Sequence, residues 1–159
     1  MIKALVNYND QYTFTAICEY AHSDSKKKFW KEVSALRARG LVVLFSDTNT
    51  VLDPLYDFYG CNKNLCLGSE AFSLALQELS LQDALVRRVN SFEYMTRINK
   101  YLKLDGFAGS RLDYFLVSIK FAGYFSDPEV IRIFHSDHFP LVIHLDLASP
   151  IPPRGPLIH

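Results

Sequence analysis

Five consecutive apolar residues, LVVLF at 41–45, break off into the polar run SDTN at 46–49. A strand that alternates apolar and polar side chains can keep one face in water, whereas a strand apolar at every position has to be covered on both. The chain around this segment must therefore supply cover for two faces. Upstream, IKALVNYNDQYTFTAIC reads as a hairpin of two β-rich runs joined through NYNDQ, whose Asn and Asp suit a turn. From Asp24 a helix is expected, because Phe29, Val33 and Leu36 recur at i, i+4 and i+7 and Gly40 follows as a stop; Lys26 to Lys28 belong to its solvated surface.

Downstream of the apolar strand, SDTNTVLDPLYD is a loop marked by Pro54. Residues 69–79 return to helical spacing, with Phe72, Leu76 and Leu79 on one face, Ser69 as the expected N-cap and LQDALVRRV as a short amphipathic continuation. The remainder reads as strands: FEYMTRI, LDYFLVSI, VIRIF and LVIHLDL, the last in strict alternation. Residues 1–147 form the expected domain. Residues 148–159 hold four of the seven prolines and read as an extended, mobile tail.

At 159 residues the chain is of ordinary single-domain size. Its 17 basic and 17 acidic residues cancel, which argues against a passive nucleic-acid coat but not against an enzyme whose metal ion supplies positive charge locally. Three cysteines, Cys18, Cys61 and Cys66, cannot all pair, and there is no N-x-S/T sequon, no long apolar leader and no membrane-length apolar stretch. An intracellular location, nuclear or cytoplasmic, and no membrane partner are expected.

RLDYFLVS at 111–118 puts Asp113 at the head of an otherwise mostly apolar strand. Burying a carboxylate without a partner costs several kcal/mol, so Asp113 needs a cationic or N–H partner or a place in water. Three other polar stretches, EYAHSD, SDTN and HSDHFP, likewise sit where strands begin or end, positions that gather on one rim of layered α/β structures. In SDTN, Asp47 and Asn49 are two apart and point the same way on an extended backbone; an Asx turn is the bland alternative. Asp137 and His138 add a carboxylate and an imidazole. His135 with His138 is a weak zinc signal, since no third clear ligand accompanies them.

Taken in this order, YA after a strand, D-x-N after an apolar strand, SRLDYFLVS, and SDHFPLVIHL resemble the endonuclease/exonuclease/phosphatase superfamily, which includes DNase I-like nucleases and AP endonucleases. SDTNTVLDPLYD and SRLDYFLVS look most like the endonuclease domain of LINE-type non-LTR retrotransposons. The resemblance implies a four-layer α/β sandwich with its active site on one rim, of which this chain would be the C-terminal portion. It implies hydrolysis of DNA phosphodiesters with Mg2+ or Mn2+. Residue by residue, it implies Asp47 as the carboxylate handling the attacking water, Asn49 and Tyr20 as phosphate contacts, and His138 as proton carrier or transition-state stabiliser. Asp113 would orient His138, and Asp137 is a candidate metal ligand.

The sequence departs from the family pattern. The family's metal-binding glutamate lies in an earlier segment, and Glu19 would point away from Tyr20's face. SDTN stands for the usual GDFN and YAH for YAP; Ser46, Thr48 and His22 are expected to loosen the loop, and a displacement of about 1 Å can cost on the order of a hundredfold in rate. The resemblance therefore implies impaired catalysis, or a partner chain covering the rest of the sandwich. The alternatives are a non-catalytic remnant or binding module, and an inositol-lipid phosphatase or deadenylase of the same superfamily.

Overall fold

The computed structural model describes residues 2–8, 12–21, 26–35, 41–59, 68–85, 92–99, 108–133 and 135–146. Its main element is a five-stranded sheet built from β1 (Ile2–Tyr8), β2 (Tyr12–Tyr20), β3 (Leu41–Asp47), β5 (Leu81–Asp83) and β8 (Asp113–Ser118), in the order β1-β2-β3-β8-β5. The hairpin expected from the sequence is the antiparallel β1–β2 pair. Helix α1 (Lys26–Ser34) lies between β2 and β3 in the chain, and those two strands run parallel, the only arrangement that a helical crossover of this length readily serves. β3 thus sits second from neither edge but in the middle, as its unbroken apolar run requires.

The alternation of β3 and β8 divides two cores. Val42, Leu44, Tyr114 and Leu116 face α1 and α2 (Ser69–Glu78), where Trp30 stacks on Phe72 with ring centroids 4.0 Å apart and Phe72 meets Tyr114 edge-on. Val43 and Val117 face the other way, onto Phe121 and Ala122 of a 3-10 segment (Ile119–Tyr124) and Phe125 just after it, with Phe45, Phe115, Ile143 and Leu145 packed alongside. A smaller sheet of β4 (Phe58–Tyr59), β7 (Ala108–Ser110) and β6 (Arg97–Asn99) leads directly into β8, and β9 (Glu129–Val130) pairs with β10 (Leu141–Val142).

Four local expectations are corrected. Ser69 is the first helical residue of α2 and not its cap: Gly68 caps the helix with φ 96°, a left-handed conformation suited to glycine, and no side chain contributes. Leu81–Asp83 is a strand, not a helical continuation. Leu81, Ala84 and Leu85 mimic helical spacing, but the open edge of β8 takes this segment as its fifth strand, and Asp83 is drawn into a buried ion pair described below. FEYMTRI splits into a 3-10 turn at Phe92–Tyr94 and the short β6, because Met95 and Thr96 turn inward and are fully buried. Among the described residues VIRIF contributes only Val130 to β9 and LVIHLDL only Leu141 and Val142 to β10, with one further bridge between Phe125 and Leu145; Ile131 and Ile133 are exposed. Leu36, Gly40, the segment 86–89, Cys61, Cys66 and the proline-rich tail lie outside the described residues. Among the described residues no helix is long and apolar enough to cross a membrane.

Candidate functional site

β3 ends at Asp47 and β8 begins at Asp113, and the antiparallel register sets these two residues directly opposite each other. They belong to the same face as Phe45 and Phe115, away from the helices. Like charges directly opposed across a ladder destabilise it, so the pair calls for positive charge. His138 provides the first instalment: its Nδ1 is 3.1 Å from Asp113 Oδ2 and 3.9 Å from Asp47 Oδ2. Asp113 thus has the N–H partner its position demanded.

The loop after β3 is held tightly. Asn49 has φ 46°, tolerated by Asn, and its N–H donates to Asp47 Oδ1 at 3.0 Å, closing the Asx turn. Its Nδ2 donates to Ala21 O at 2.8 Å, which fixes the amide at the end of β2. Thr48 is fully buried; its N–H and hydroxyl both donate toward Leu112 O, and the hydroxyl lies 2.6 Å from Thr50 O. The expected loosening at Thr48 is therefore corrected: the hydroxyl ties the Asp47 loop to the residue preceding Asp113. Ser46 Oγ, by contrast, is buried without a hydrogen-bond partner.

Tyr20 closes β2 in register with Asp47 and is 59% exposed, so the rim carries an accessible tyrosine beside the carboxylate. Asp137 lies apart from the Asp47–Asp113–His138 group; its Oδ2 is 3.6 Å from Arg97 Nε. His22 is outside the described residues, and His135 is exposed. An open cavity of about 310 Å³ adjoins the two carboxylates, walled by Cys18, Phe45, Phe115 and Leu141.

Burial pushes the Asp47 carboxyl up, as does Asp113; the Asn49 N–H, His138 and Arg97 pull it back. The His138 imidazole is raised by its hydrogen bond to Asp113, against the effect of burial, with the charges of Asp113 and Asp47 adding to the rise and Arg97 opposing it. An imidazolium here is thus a stabilised species.

One ligand atom from each of Asp47, Asp113 and His138 can be chosen so that all lie within 4.8 Å of one another. Two carboxylates and an imidazole so grouped are a donor set that fits a divalent metal ion. Asp47 and Asp113 are the residues that would hold it.

Sequence reasoning missed Thr96. Buried completely, its Oγ1 accepts from the N–H of Leu112 at 2.9 Å and of Asp113 at 3.1 Å, while its carbonyl accepts from Phe139 N–H at 2.7 Å. One threonine therefore joins the backbone of Asp113 to the residue following His138. No pattern in FEYMTRI distinguishes it. Also missed was the buried network behind the site: Arg111 pairs with Asp57, at 2.8 Å, and with Asp83, and its guanidinium lies 4.4 Å over the Tyr114 ring. Charged residues flanking strands at 57 and 111 were its only trace in the sequence.

No protein-family model and no curated protein matches the sequence. Solved structures do. The endonuclease domain of TRAS1, a telomere-specific non-LTR retrotransposon, superposes with a TM-score of 0.67 at 13% identity, over 93% of this chain and 64% of that one. The AP endonuclease LMAP from Leishmania major gives 0.63 at 15% identity, over 87% of this chain and 52% of that one. An AP endonuclease from Archaeoglobus fulgidus gives 0.61 at 18% identity, over 84% and 62%. The chain spans about half to under two thirds of the length of these structures. At such identities the likeness is one of fold alone: the chain takes the DNase I-like α/β fold of these endonuclease structures over the part of them that it covers, and resembles in fold the endonuclease domain of a non-LTR retrotransposon.

Proposed function

We propose that this chain carries the rim of a DNA phosphodiesterase of the retrotransposon-endonuclease type, dependent on Mg2+ or Mn2+. The observation that carries the reading is the Asp47–Asp113 pair, opposed across one ladder and bridged by His138. Two carboxylates so placed are a liability in a purely structural sheet and an asset where a cation and a phosphate must meet.

Asp47 has one oxygen committed to Asn49 N–H and the other turned toward His138, so that second oxygen can orient or deprotonate a water. With its Nδ1 turned to Asp113, His138 presents Nε2 as the atom that donates to the developing charge or to the leaving oxygen. Asn49 Nδ2 carries a second hydrogen for a phosphate oxygen, and Tyr20 offers a hydroxyl from the neighbouring strand. A divalent ion, when bound, offsets the charge on the phosphate oxygens. Removing Asp47 or His138 is expected to cost about two to four orders of magnitude in rate.

The second reading is a non-catalytic retrotransposon-derived remnant or binding module, in which the Asp113–His138 pair serves the sheet and holds no substrate. Nicking of supercoiled plasmid separates the two. Magnesium-dependent nicking by the purified chain, abolished by chelator and by His138→Ala and Asp47→Ala, supports the enzyme; a folded, soluble sample that nicks nothing sinks it.

A further inference from the structure

A site made of two carboxylates repels the polyanion it is proposed to bind, and a chain with zero formal net charge cannot steer that substrate by its overall field. A local cation beside the carboxylates would answer the problem, and Arg97 is placed for it. Arg97 forms an antiparallel bridge with His138, so the two residues are direct cross-strand partners and project to the same side of the ladder. The bridge is anchored by the Ile98 N–H donating to Asp137 O at 3.0 Å. The charge of Arg97 is felt at both Asp47 and His138. Its side chain is 36% exposed, and its one described ion pair, with Asp137 at 3.6 Å, is beyond hydrogen-bond length and shared with a carboxylate that is itself 58% exposed. Such a pair is weak and readily exchanged.

We infer that Arg97 binds a backbone phosphate of DNA next to the Asp47–His138 centre, exchanging Asp137 for the phosphate when substrate arrives. The guanidinium fork matches a phosphate bidentately in a way Asp137 does not exploit in the present geometry. Asp137 then acts as the placeholder that keeps Arg97 extended over the rim and competes with the phosphate for it. This inference rests on the proposed function for the identity of the polyanion, but it makes its own demand on binding.

The test is binding of a short fluorescein-labelled DNA duplex, followed by anisotropy in chelator across a series of salt concentrations, for the wild-type chain and for Arg97→Gln, Arg97→Lys and Asp137→Asn. Arg97→Gln is expected to weaken binding by about tenfold at low salt and to reduce the slope of log affinity against log salt by about one. Arg97→Lys keeps most of the slope and loses part of the affinity, and Asp137→Asn tightens binding. A structural role for the Arg97–Asp137 pair would instead make Arg97→Gln and Asp137→Asn weaken binding together; that outcome, or an unchanged slope in Arg97→Gln, overturns the inference. Arg97-dependent binding without any magnesium-dependent nicking overturns the catalytic reading alone. Nicking by the wild type with an unaltered KM in Arg97→Gln overturns the phosphate role alone, and absence of duplex binding by the wild type overturns both.

Discussion

Replacing Arg111 by methionine should be the most damaging single change away from the rim. Arg111 is the cation of a buried cluster: its side chain is 5% exposed, that of Asp57 3% and that of Asp83 1%. Asp57 Oδ1 accepts from Nε at 2.9 Å and is ion-paired with Nη2 at 2.8 Å, while Asp83 Oδ2 is ion-paired with the same Nη2. The two carboxylates and one guanidinium already leave a negative excess, and burial and Asp83 both push the Asp57 carboxyl up. Methionine fills much of the volume and removes the charge, leaving two buried carboxylates with no cation. Breaking a buried pair in this way costs about 3–5 kcal/mol, out of a total stability on the order of 5–15 kcal/mol. At this chain length that corresponds to a Tm lower by roughly 6–20 °C.

The pH dependence gives the decisive sign. A carboxyl whose pKa is raised in the folded state favours folding at low pH, and that contribution is lost as pH rises through the folded value. The deficit of Arg111→Met should therefore shrink as pH is lowered from neutrality toward the ordinary carboxylate range. Combining it with Asp57→Asn and Asp83→Asn should recover most of the loss at neutral pH. Urea denaturation of the wild type, Arg111→Met and the triple variant across pH measures both effects. A deficit below about 1 kcal/mol, or one that does not change with pH, would refute the account of an uncompensated buried charge.

Three further outcomes follow from the geometry. Asp113→Asn removes the hydrogen bond and charge that raise His138, so the imidazole should titrate lower than in the wild type, as followed by NMR in chelator. In the wild type that raised pKa adds stability fully present below the ordinary value of 6.5 and lost as pH rises through the folded one, and the variant should lose this dependence; an unmoved His138 titration would count against the pairing. Thr96→Val leaves the N–H groups of Leu112 and Asp113 without their shared acceptor and should cost about 1–3 kcal/mol, with a fall in nicking that Thr96→Ser restores. Gly109→Ala would place a Cβ 2.9 Å from Met95 Cγ, a fully buried side chain close to its own backbone, and should cost about 1–3 kcal/mol in thermal unfolding; a wild-type Tm would show that β7 can shift away from Met95.

The strands and helices that depend on one another least were the easiest to read. The β1–β2 hairpin, β3, α1, α2 and β8 are each announced by a local period, and each occurs where that period places it. Leu81–Asp83 was misread because its apolar spacing is compatible with a helix, and only the unpaired edge of β8 decides for a strand. β9 and β10 were overestimated because apolar, β-branched residues such as Ile131 and Ile133 are exposed on irregular backbone held by Arg132, whose guanidinium donates to Met95 O and Glu93 O.

For the site, the sequence alone determined which residues could do chemistry at strand ends: Asp47 and Asn49 after an apolar strand, Asp113 where a charge needed a reason, and His138 before the last strand. Each is a side chain of short reach whose chemical capacity is legible from its residue type and its place at a strand end. Which of them meet was decided by register. A slip of one residue between β3 and β8 would turn Asp113 to the helix side and dissolve the pair, and nothing local to either strand sets that register. It is set by contacts between segments far apart in the chain, with Thr48 bound to Leu112, Thr96 to Leu112, Asp113 and Phe139, and Arg111 to Asp57 and Asp83. These are hydrogen bonds and charges that become strong only once water is excluded from them, so their partners are selected by the folded interior and leave no period in the sequence.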